Sequence, residues 1–516
     1  MVLWTLVAIL AVIIYVASNY FHSYWLRRNV PQKNPSFLVG TIGELFRGKK
    51  GIGEEFYDIY NQCKGQKVTG LYFLYRPALL VNDPEIVQNV MIKDFSSFHD
   101  RGVFCDEEVD PLPANLFSLE GQKWRDLRVK LSPVFTSGKL KGMFPTIRSS
   151  SKTLENYMMK NINNGTNTFD MRDLMARFTT NIISSVAFGI ENDCINDREN
   201  IFRKMGMKIF ETDFKQSLKF MANFLMPSIL SFFKIKITFD EVEEFFMSIA
   251  RQTIDHREKS KENERKDFMQ LMIQLKNQGY LSVDKDDEND QNEKQFDTQK
   301  MTFTQLVSQS FLFFTAGFET SSSTTNFCLF EITKNSEVQK KVHEELDKVF
   351  KSCDINEVTY EMLNELKYLD FCIDEALRKY PIVPILNREC TKEYEIPDSD
   401  MTIEKGTPII IPVLGLQRDP EIYDEPMKFI PERFLNSSNG NAKLKGVTYS
   451  PFGTGPHNCI GERMGKLQTK IGLATVLSKF KFEFVDKSYM SKEIDFDPKQ
   501  FVLTPKQKIE YRALIR

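Results

Sequence analysis

No Cys-x-x-Cys pair occurs in this chain, and its eight cysteines, at 63, 105, 194, 328, 353, 372, 390 and 459, are widely scattered. The close ligand spacing of a structural zinc site is therefore missing. The scatter fits a reduced, cytosolic protein rather than a disulfide framework. Tryptophan is scarce, at 3 residues against 43 Phe. Abundant Phe suits a roomy interior for apolar ligands, and equally a large ordinary core. An excess of charge is missing too: 68 Lys and Arg against 70 Asp and Glu leave a net charge of -2. Nothing global points to nucleic acid. The 516 residues contain neither an internal repeat nor a linker dividing the middle. Length alone would allow several domains, but one large domain is expected.

Lys and Arg are also absent before Arg27. A cleaved signal peptide would begin with a basic segment, so a retained anchor is the better reading. Val2 to Tyr20 is almost wholly apolar, close to the roughly 20 residues a helix needs to span a bilayer. Trp4, Tyr20, Tyr24 and Trp25 stand near its ends, where interfacial aromatics belong. Arg27 and Arg28 follow directly, which places the following chain on the cytoplasmic side. The chain divides into a transmembrane anchor over 1–25, a stiff hinge over 26–40 with Pro31 and Pro35, and a domain over 41–516. The sequons at Asn164 and Asn436 go unused if that domain faces the cytosol.

Helical patterns dominate after residue 115. Short β-like runs lie at Val68–Leu74, Ala78–Val81, Thr407–Val413 and Phe480–Val485. The polar stretch Asp284–Lys300 reads as a mobile surface loop. Phe220–Ile237 reads either as a core helix pair or as a loop dipping into a membrane interface.

Four motifs carry chemistry. In Pro451-Phe-Gly-Thr-Gly-Pro-His-Asn-Cys459-Ile-Gly461, glycines let the backbone approach a flat ligand. A thiolate at Cys459 can ligate a metal while backbone N–H groups point at its sulfur; a lone buried cysteine is the bland alternative. Thr302-Phe-Thr-Gln305 is a capping box that opens a helix running to about Asn335. Midway lies Ala316-Gly-Phe-Glu-Thr-Ser321, where Gly317 would let a flat ligand come close. Thr320 can deliver a proton and Glu319 can relay one; a plain core helix would also fit. Glu375 and Arg378 share a helix face at i, i+3, as many surface pairs do. Downstream stands Pro431-Glu-Arg433-Phe. Trp124-Arg-Asp-Leu-Arg128 places an indole and a guanidinium on one helix.

The first motif closely resembles the haem-binding loop of the cytochrome P-450 monooxygenases, Phe-x-x-Gly-x-Arg-x-Cys-x-Gly. Phe452, Gly455, Cys459 and Gly461 match, and His457 stands where the family usually has Arg. The other motifs follow in the family's order, so the resemblance covers nearly the whole chain. The central helix and Leu386-Asn-Arg-Glu-Cys390 look most like insect microsomal detoxifying members.

The resemblance implies a mostly α fold with a small β region behind an N-terminal transmembrane helix. It implies haem b with Cys459 as metal ligand and Phe452, Gly461, Trp124, Arg128, Arg388 and His457 around the cofactor, with Arg101 as a further propionate candidate and no flavin in this chain. Glu319 and Thr320 become the catalytic acid–alcohol pair, and Glu375, Arg378 and Arg433 a buried structural cluster. A propionate beside His457 would raise its pKa and make haem retention depend on pH; the rival is a neutral, packed ring. The implied partners are an NADPH-cytochrome reductase, docked on Arg125, Lys130, Lys139, Lys141, Arg463 and Lys466, cytochrome b5, a lipophilic substrate and the endoplasmic reticulum membrane, with the body facing the cytosol. The substrate pocket would draw on Phe98–Phe117, Phe311–Glu319, Val383–Leu386 and Phe501–Thr504. The alternatives are a non-oxygenating isomerase or dehydratase, a haem-containing binding protein without turnover, and a metal-free structural protein.

Overall fold

The computed structural model describes residues 1–516 apart from 211–213, 260–264, 282–298, 352 and 436–445, and apart from the side chains of Phe46 and Phe214. Most of the polar stretch at 284–300, and the sequon at Asn436, therefore lie outside the described residues.

The body is organised around the helix Phe303–Lys334. It begins at the expected capping box, with Gln305 N–H on Thr302 Oγ1 and Thr302 N–H on Gln305 Oε1. It ends at Asn335, whose side chain caps the next helix, Ser336–Phe350. From Ser321 to Thr333 every residue is buried, which marks a helix with neighbours on all sides. Those neighbours include Met171–Phe188, Lys367–Lys379 and Glu462–Lys479. Gly317 belongs to this packing: a Cβ there would lie 2.6 Å from Ile183 Cδ1. The glycine thus allows two helices to cross closely, and it also lines the cavity beneath the central helix.

A four-stranded sheet covers one flank, in the spatial order Val68–Phe73, Arg76–Val81, Pro408–Ile411, Leu386–Glu389. Only the middle pairing is parallel. A three-stranded sheet joins Thr168–Asp170, Glu510–Ile515 and Phe480–Phe484. All the expected β runs form strands, but Thr407–Val413 is cut short. Pro412 has no N–H to continue the ladder, and Val413–Gln417 turns into a helix.

The helix Val2–His22 is exposed from Val2 to Val16 and, with the turn after it, is long and apolar enough to cross a membrane. At about 1.5 Å per residue it reaches roughly the 30 Å of a bilayer core. Its last turn is welded to the body. Ser18 and His22 are buried, and His22 Nε2 lies 3.0 Å from Leu74 O. Trp25 is 1% exposed; its Nε1 donates to Leu71 O at 3.1 Å and its backbone N–H to Tyr72 Oη at 3.0 Å. Gly70 provides the seat, since a Cβ there would lie 2.4 Å from the indole. Trp25 is therefore a core residue and not an interfacial one. The following segment, expected to be a stiff hinge, is bonded to the sheet: Gly70 N–H donates to Pro31 O at 2.7 Å, and Lys33 N–H to Gly70 O at 3.1 Å.

A chain starting at Arg27 should consequently be less stable, because losing a buried Trp costs about 3–5 kcal/mol. A chain starting at Ser18 should melt like the full-length protein. Thermal melts of both truncations check this, and equal stability would place Trp25 outside the core.

The stretch Phe220–Ile237 contains the end of one helix, Phe214–Leu225, and all of a second, Pro227–Phe233. Leu225, Met226, Leu230 and Ile237 are buried, while Phe232 and Phe233 are 81% and 66% exposed. The pair is thus cored on one face and apolar at its outer tip. Arg76 Nη1 donates to Leu225 O at 3.4 Å, beside the turn whose Tyr75 touches Phe21 of the N-terminal helix. Helix pair and N-terminal helix therefore meet the same end of the sheet.

Candidate active site

The loop Ser450–Gly461 folds back on itself through Gly453 N–H to Ser450 O at 2.9 Å, Asn458 N–H to Gly455 O at 3.0 Å and Cys459 N–H to Phe452 O at 2.8 Å. Gly453 and Gly455 both have φ of 71°, a region that favours glycine. At Gly455 a Cβ would also fall 2.1 Å from Met91 O. This turn delivers Cys459 immediately before the helix Glu462–Lys479.

Cys459 is surrounded by protein, yet its accessible surface is that of an exposed residue. Both are true because it opens on a cavity of about 190 Å³. Burial pushes the thiol up; the Gly461 N–H, Arg128 and Arg101 pull it back toward the thiolate, against Glu462. Among the described residues, no other cysteine lines this cavity. Ala316 and Thr320 of the central helix, together with Phe452 and Gly461 of the loop, line the same space.

One edge of the site is cationic. Arg388 is 2% exposed; its Nη1 donates to Asn387 O at 2.7 Å, and its Nε has no partner. Burial and the neighbouring Arg101 push its pKa well down. Arg101 is itself pushed down to about 10 by burial and Arg128. Arg101 Nη1 donates to Phe117 O at 2.9 Å. Arg128 grips the loop through Asn458 O at 2.9 Å and Oδ1 at 2.7 Å. Among the described residues, none of these three arginines pairs with a carboxylate at ion-pair distance. Buried cations without counter-ions are costly. Arg101 and Arg128 line the cavity, and with the orphaned Arg388 Nε close by this donor set would suit the carboxylates of a bound cofactor.

In the protein without its cofactor, His457 is packed and hydrogen-bonded. Its Nε2 lies 2.6 Å from His99 O and so carries the proton that is donated there, leaving Nδ1 without a partner. The ring packs on Trp124 with centroids 3.8 Å apart. Burial, then Arg101 and Arg388, push its pKa down to about 2. The protein's own groups hold the imidazole neutral, and His457 packs where the family's arginine would carry charge.

Thr320 and Glu319 face different surroundings. Thr320 lines the cavity, its Oγ1 donating to Ala316 O at 2.6 Å. Glu319 is not in the cavity wall. Ser323 Oγ donates to it at 3.4 Å; burial raises its pKa while Arg172 and Arg203 oppose.

Glu375 and Arg378 are fully buried, and their ion pair is bidentate, with Nε to Oε2 at 2.8 Å and Nη2 to Oε1 at 2.9 Å. Arg433 Nε adds a contact to Oε1 at 3.3 Å. Arg378 Nη1 continues to Gln417 O at 2.8 Å, and Gln417 Oε1 accepts Ser450 N–H at 3.0 Å. The cluster thus reaches the first residue of the cysteine loop. Gln417 is the link that sequence reasoning missed, since no motif marks a buried glutamine. Gln309, whose Oε1 accepts Leu116 N–H at 3.0 Å, is another.

Of the segments expected to form a pocket, Arg101, Leu116, Phe117, Leu312, Phe313, Ala316 and Gly317 line the cavity. Among the expected docking cations, Arg125 and Arg463 are exposed. Lys466 is held by Asp374 and Glu462 at 3.0 and 3.4 Å, and Lys141 pairs with Glu361.

A single cysteine beneath a cavity, a threonine-bearing helix across it and uncompensated arginines at its edge describe a thiolate-ligated haem protein. The sequence model of the family described as Cytochrome P450 matches residues 31–511, and the chain belongs to that family. It is 38% identical to "Probable cytochrome P450 6d5" of Drosophila melanogaster over 98% of this chain and 97% of that one. It is 38% identical to "Cytochrome P450 6d3" of Musca domestica over 94% and 93%, and 38% identical to "Cytochrome P450 6k1" of Blattella germanica over 92% and 90%. Members are monooxygenases that bind haem b through a cysteine thiolate and carry no flavin.

Proposed function

We propose that this chain is a membrane-anchored monooxygenase that inserts one oxygen atom of O2 into a lipophilic substrate. Its electrons come from NADPH through a separate reductase, with cytochrome b5 as a second donor. The observation that carries this reading is Cys459 opening on the cavity that Thr320 also lines. Haem, when bound, supplies the dioxygen chemistry, and a thiolate ligand favours O–O cleavage.

The residues divide the remaining work. Cys459 is the metal ligand, with Phe452 and Gly461 around it. Arg101, Arg128 and Arg388 hold the propionates, with Trp124 and a neutral His457 packed beside them. The hydroxyl of Thr320 leaves Ala316 O to pass a proton into the cavity, and Glu319 resupplies it from behind the helix. Leu116, Phe117, Leu131, Phe135, Leu312 and Phe313 make the cavity apolar, which excludes water and suits an apolar substrate. The N-terminal helix anchors the chain in the endoplasmic reticulum with the body on the cytosolic side. Phe232 and Phe233 rest in the same interface. Arg125 and Arg463 belong to the reductase dock.

Reconstitution with an NADPH-cytochrome reductase tests the reading. Wild-type protein should couple NADPH use to oxygenated product from lipophilic compounds. Thr320→Ala should keep consuming NADPH while product falls at least about tenfold, within the range of a lost proton-transfer group, the balance leaving as hydrogen peroxide. Unchanged product per NADPH would remove Thr320 from proton delivery. Rearrangement of hydroperoxides without NADPH would favour the isomerase or dehydratase alternative, and ligand binding without any turnover the binding protein.

A further inference from the structure

Three side chains that line the cavity carry buried polar atoms with no partner among the described residues: His457, Ser321 and Gln468. The Nδ1 of His457 belongs to the cationic edge. The other two stand on facing helices. Ser321 follows Thr320 on the central helix and is 2% exposed, and its hydroxyl is unbonded. Gln468 is 0% exposed, on the helix Glu462–Lys479 that follows Cys459, and neither its Oε1 nor its Nε2 is bonded.

The two helices touch at this point. Thr469 Oγ1 donates to Ser321 O at 3.5 Å, and a Cβ at Gly465 would lie 3.8 Å from Ser321 Oγ. Gly465 and Gln468 are i, i+3 and so share a helix face, and both line the cavity. Glycine thus leaves room beside the serine hydroxyl and the amide. Buried polar groups left unbonded are strongly unfavourable. Ordered water resolves this, since a buried water makes about three hydrogen bonds to such groups. The hydroxyl, Oε1 and Nε2 offer it both donors and acceptors.

We propose that Ser321 and Gln468 bind ordered water in the cavity wall beside Thr320, and that this water keeps the Thr320 hydroxyl supplied with protons. The supply role rests on the monooxygenase reading; the water site does not. The relay balances: as Thr320 passes its proton into the cavity, the water gives one to the Thr320 oxygen and takes one from solvent. It acts on the cavity side of the central helix, whose wall does not include Glu319. Gln468 does not titrate, so it is a positioning residue that holds the water and contributes no proton.

The first test is thermodynamic and uses the full-length, haem-loaded protein in detergent. Gln468→Met removes the amide at nearly constant volume. With water bound, it strands the Ser321 hydroxyl and should lower the melting temperature by roughly 1–3 °C. With a dry amide, it removes an unbonded polar group and should raise it. Ser321→Ala should also lower the melt. The double variant should melt higher than the sum of the two losses predicts, because both remove the same water. The second test adds NADPH-cytochrome reductase. Gln468→Met should lower product per NADPH about three- to tenfold, less than loss of the transferring group itself, and should change the solvent deuterium isotope effect on product formation. Gln468→Glu keeps a hydrogen-bonding head at the same reach and should retain both. A raised melting temperature in Gln468→Met, or additive losses in the double variant, would overturn the water site. Unchanged coupling and isotope effect in Gln468→Met would overturn the supply role. The haem reading falls separately, if the reduced, carbon-monoxide-bound wild type lacks a thiolate spectrum.

Discussion

Cys459→Ser is expected to abolish the thiolate spectrum of the reduced, carbon-monoxide-bound protein and to reduce monooxygenase turnover to background. The argument is chemical and local. The turn closed by Cys459 N–H on Phe452 O involves backbone only, so serine should occupy the same place with little change in fold. What changes is the donor. Burial raises the Cys459 thiol, the Gly461 N–H, Arg128 and Arg101 partly offset that rise, and a metal ion would complete the deprotonation by binding the sulfur as an anion. A serine hydroxyl is far less acidic and is a poor ligand for haem iron. Cys105→Ser, at a partly exposed cysteine, is the control and should leave the spectrum intact. A Cys459→Ser protein with normal spectrum and turnover would refute the site as a whole.

The cysteine loop was legible because its chemistry is concentrated in ten consecutive residues, and the central helix because both its caps are local. Features that depend on distant partners were not. Leu386–Glu389 gave no strand signal, since Asn387, Arg388 and Glu389 break any apolar alternation; it is a strand because it pairs with Pro408–Ile411. Trp25 reads as an interfacial residue in sequence, and its burial follows from a seat made forty-five residues later by Gly70. For His457 the sequence supplied a titratable ring near carboxylates of a cofactor. The structure adds Arg101 and Arg388, which push the ring toward its neutral form when no cofactor carboxylate is beside it. Glu319 and Thr320 are neighbours in sequence, yet the helix turns them toward different surroundings. Glu375 and Arg378 read as a pair on one helix face; only tertiary packing makes them buried, and only Gln417 connects them to the loop.

That connection makes Glu375→Gln the second substitution of large expected effect. Removing one partner of a buried ion pair costs about 3–5 kcal/mol, because the other charge stays buried without compensation. Here the stranded group is the Arg378 guanidinium, 0% exposed. Glutamine keeps the volume and one acceptor oxygen, and loses both the charge and the bidentate geometry. Arg433, less buried than Arg378, loses its partner as well. A surface i, i+3 pair would contribute only about 0.2–0.5 kcal/mol, so the two readings differ by roughly tenfold in energy. The damage should be directional. Arg378 orders Gln417 through its carbonyl, and Gln417 holds Ser450 N–H. The cysteine loop should therefore loosen before the helices unfold. The expected result is a fall in haem-to-protein ratio with far-ultraviolet circular dichroism nearly preserved at low temperature, together with a denaturant midpoint lowered in proportion to the lost energy. Arg433→Lys should do much less, since it retains a cation at the rim of the cluster. A Glu375→Gln protein with full haem content and an unshifted midpoint would show that the cluster neither stabilises the fold nor supports the loop.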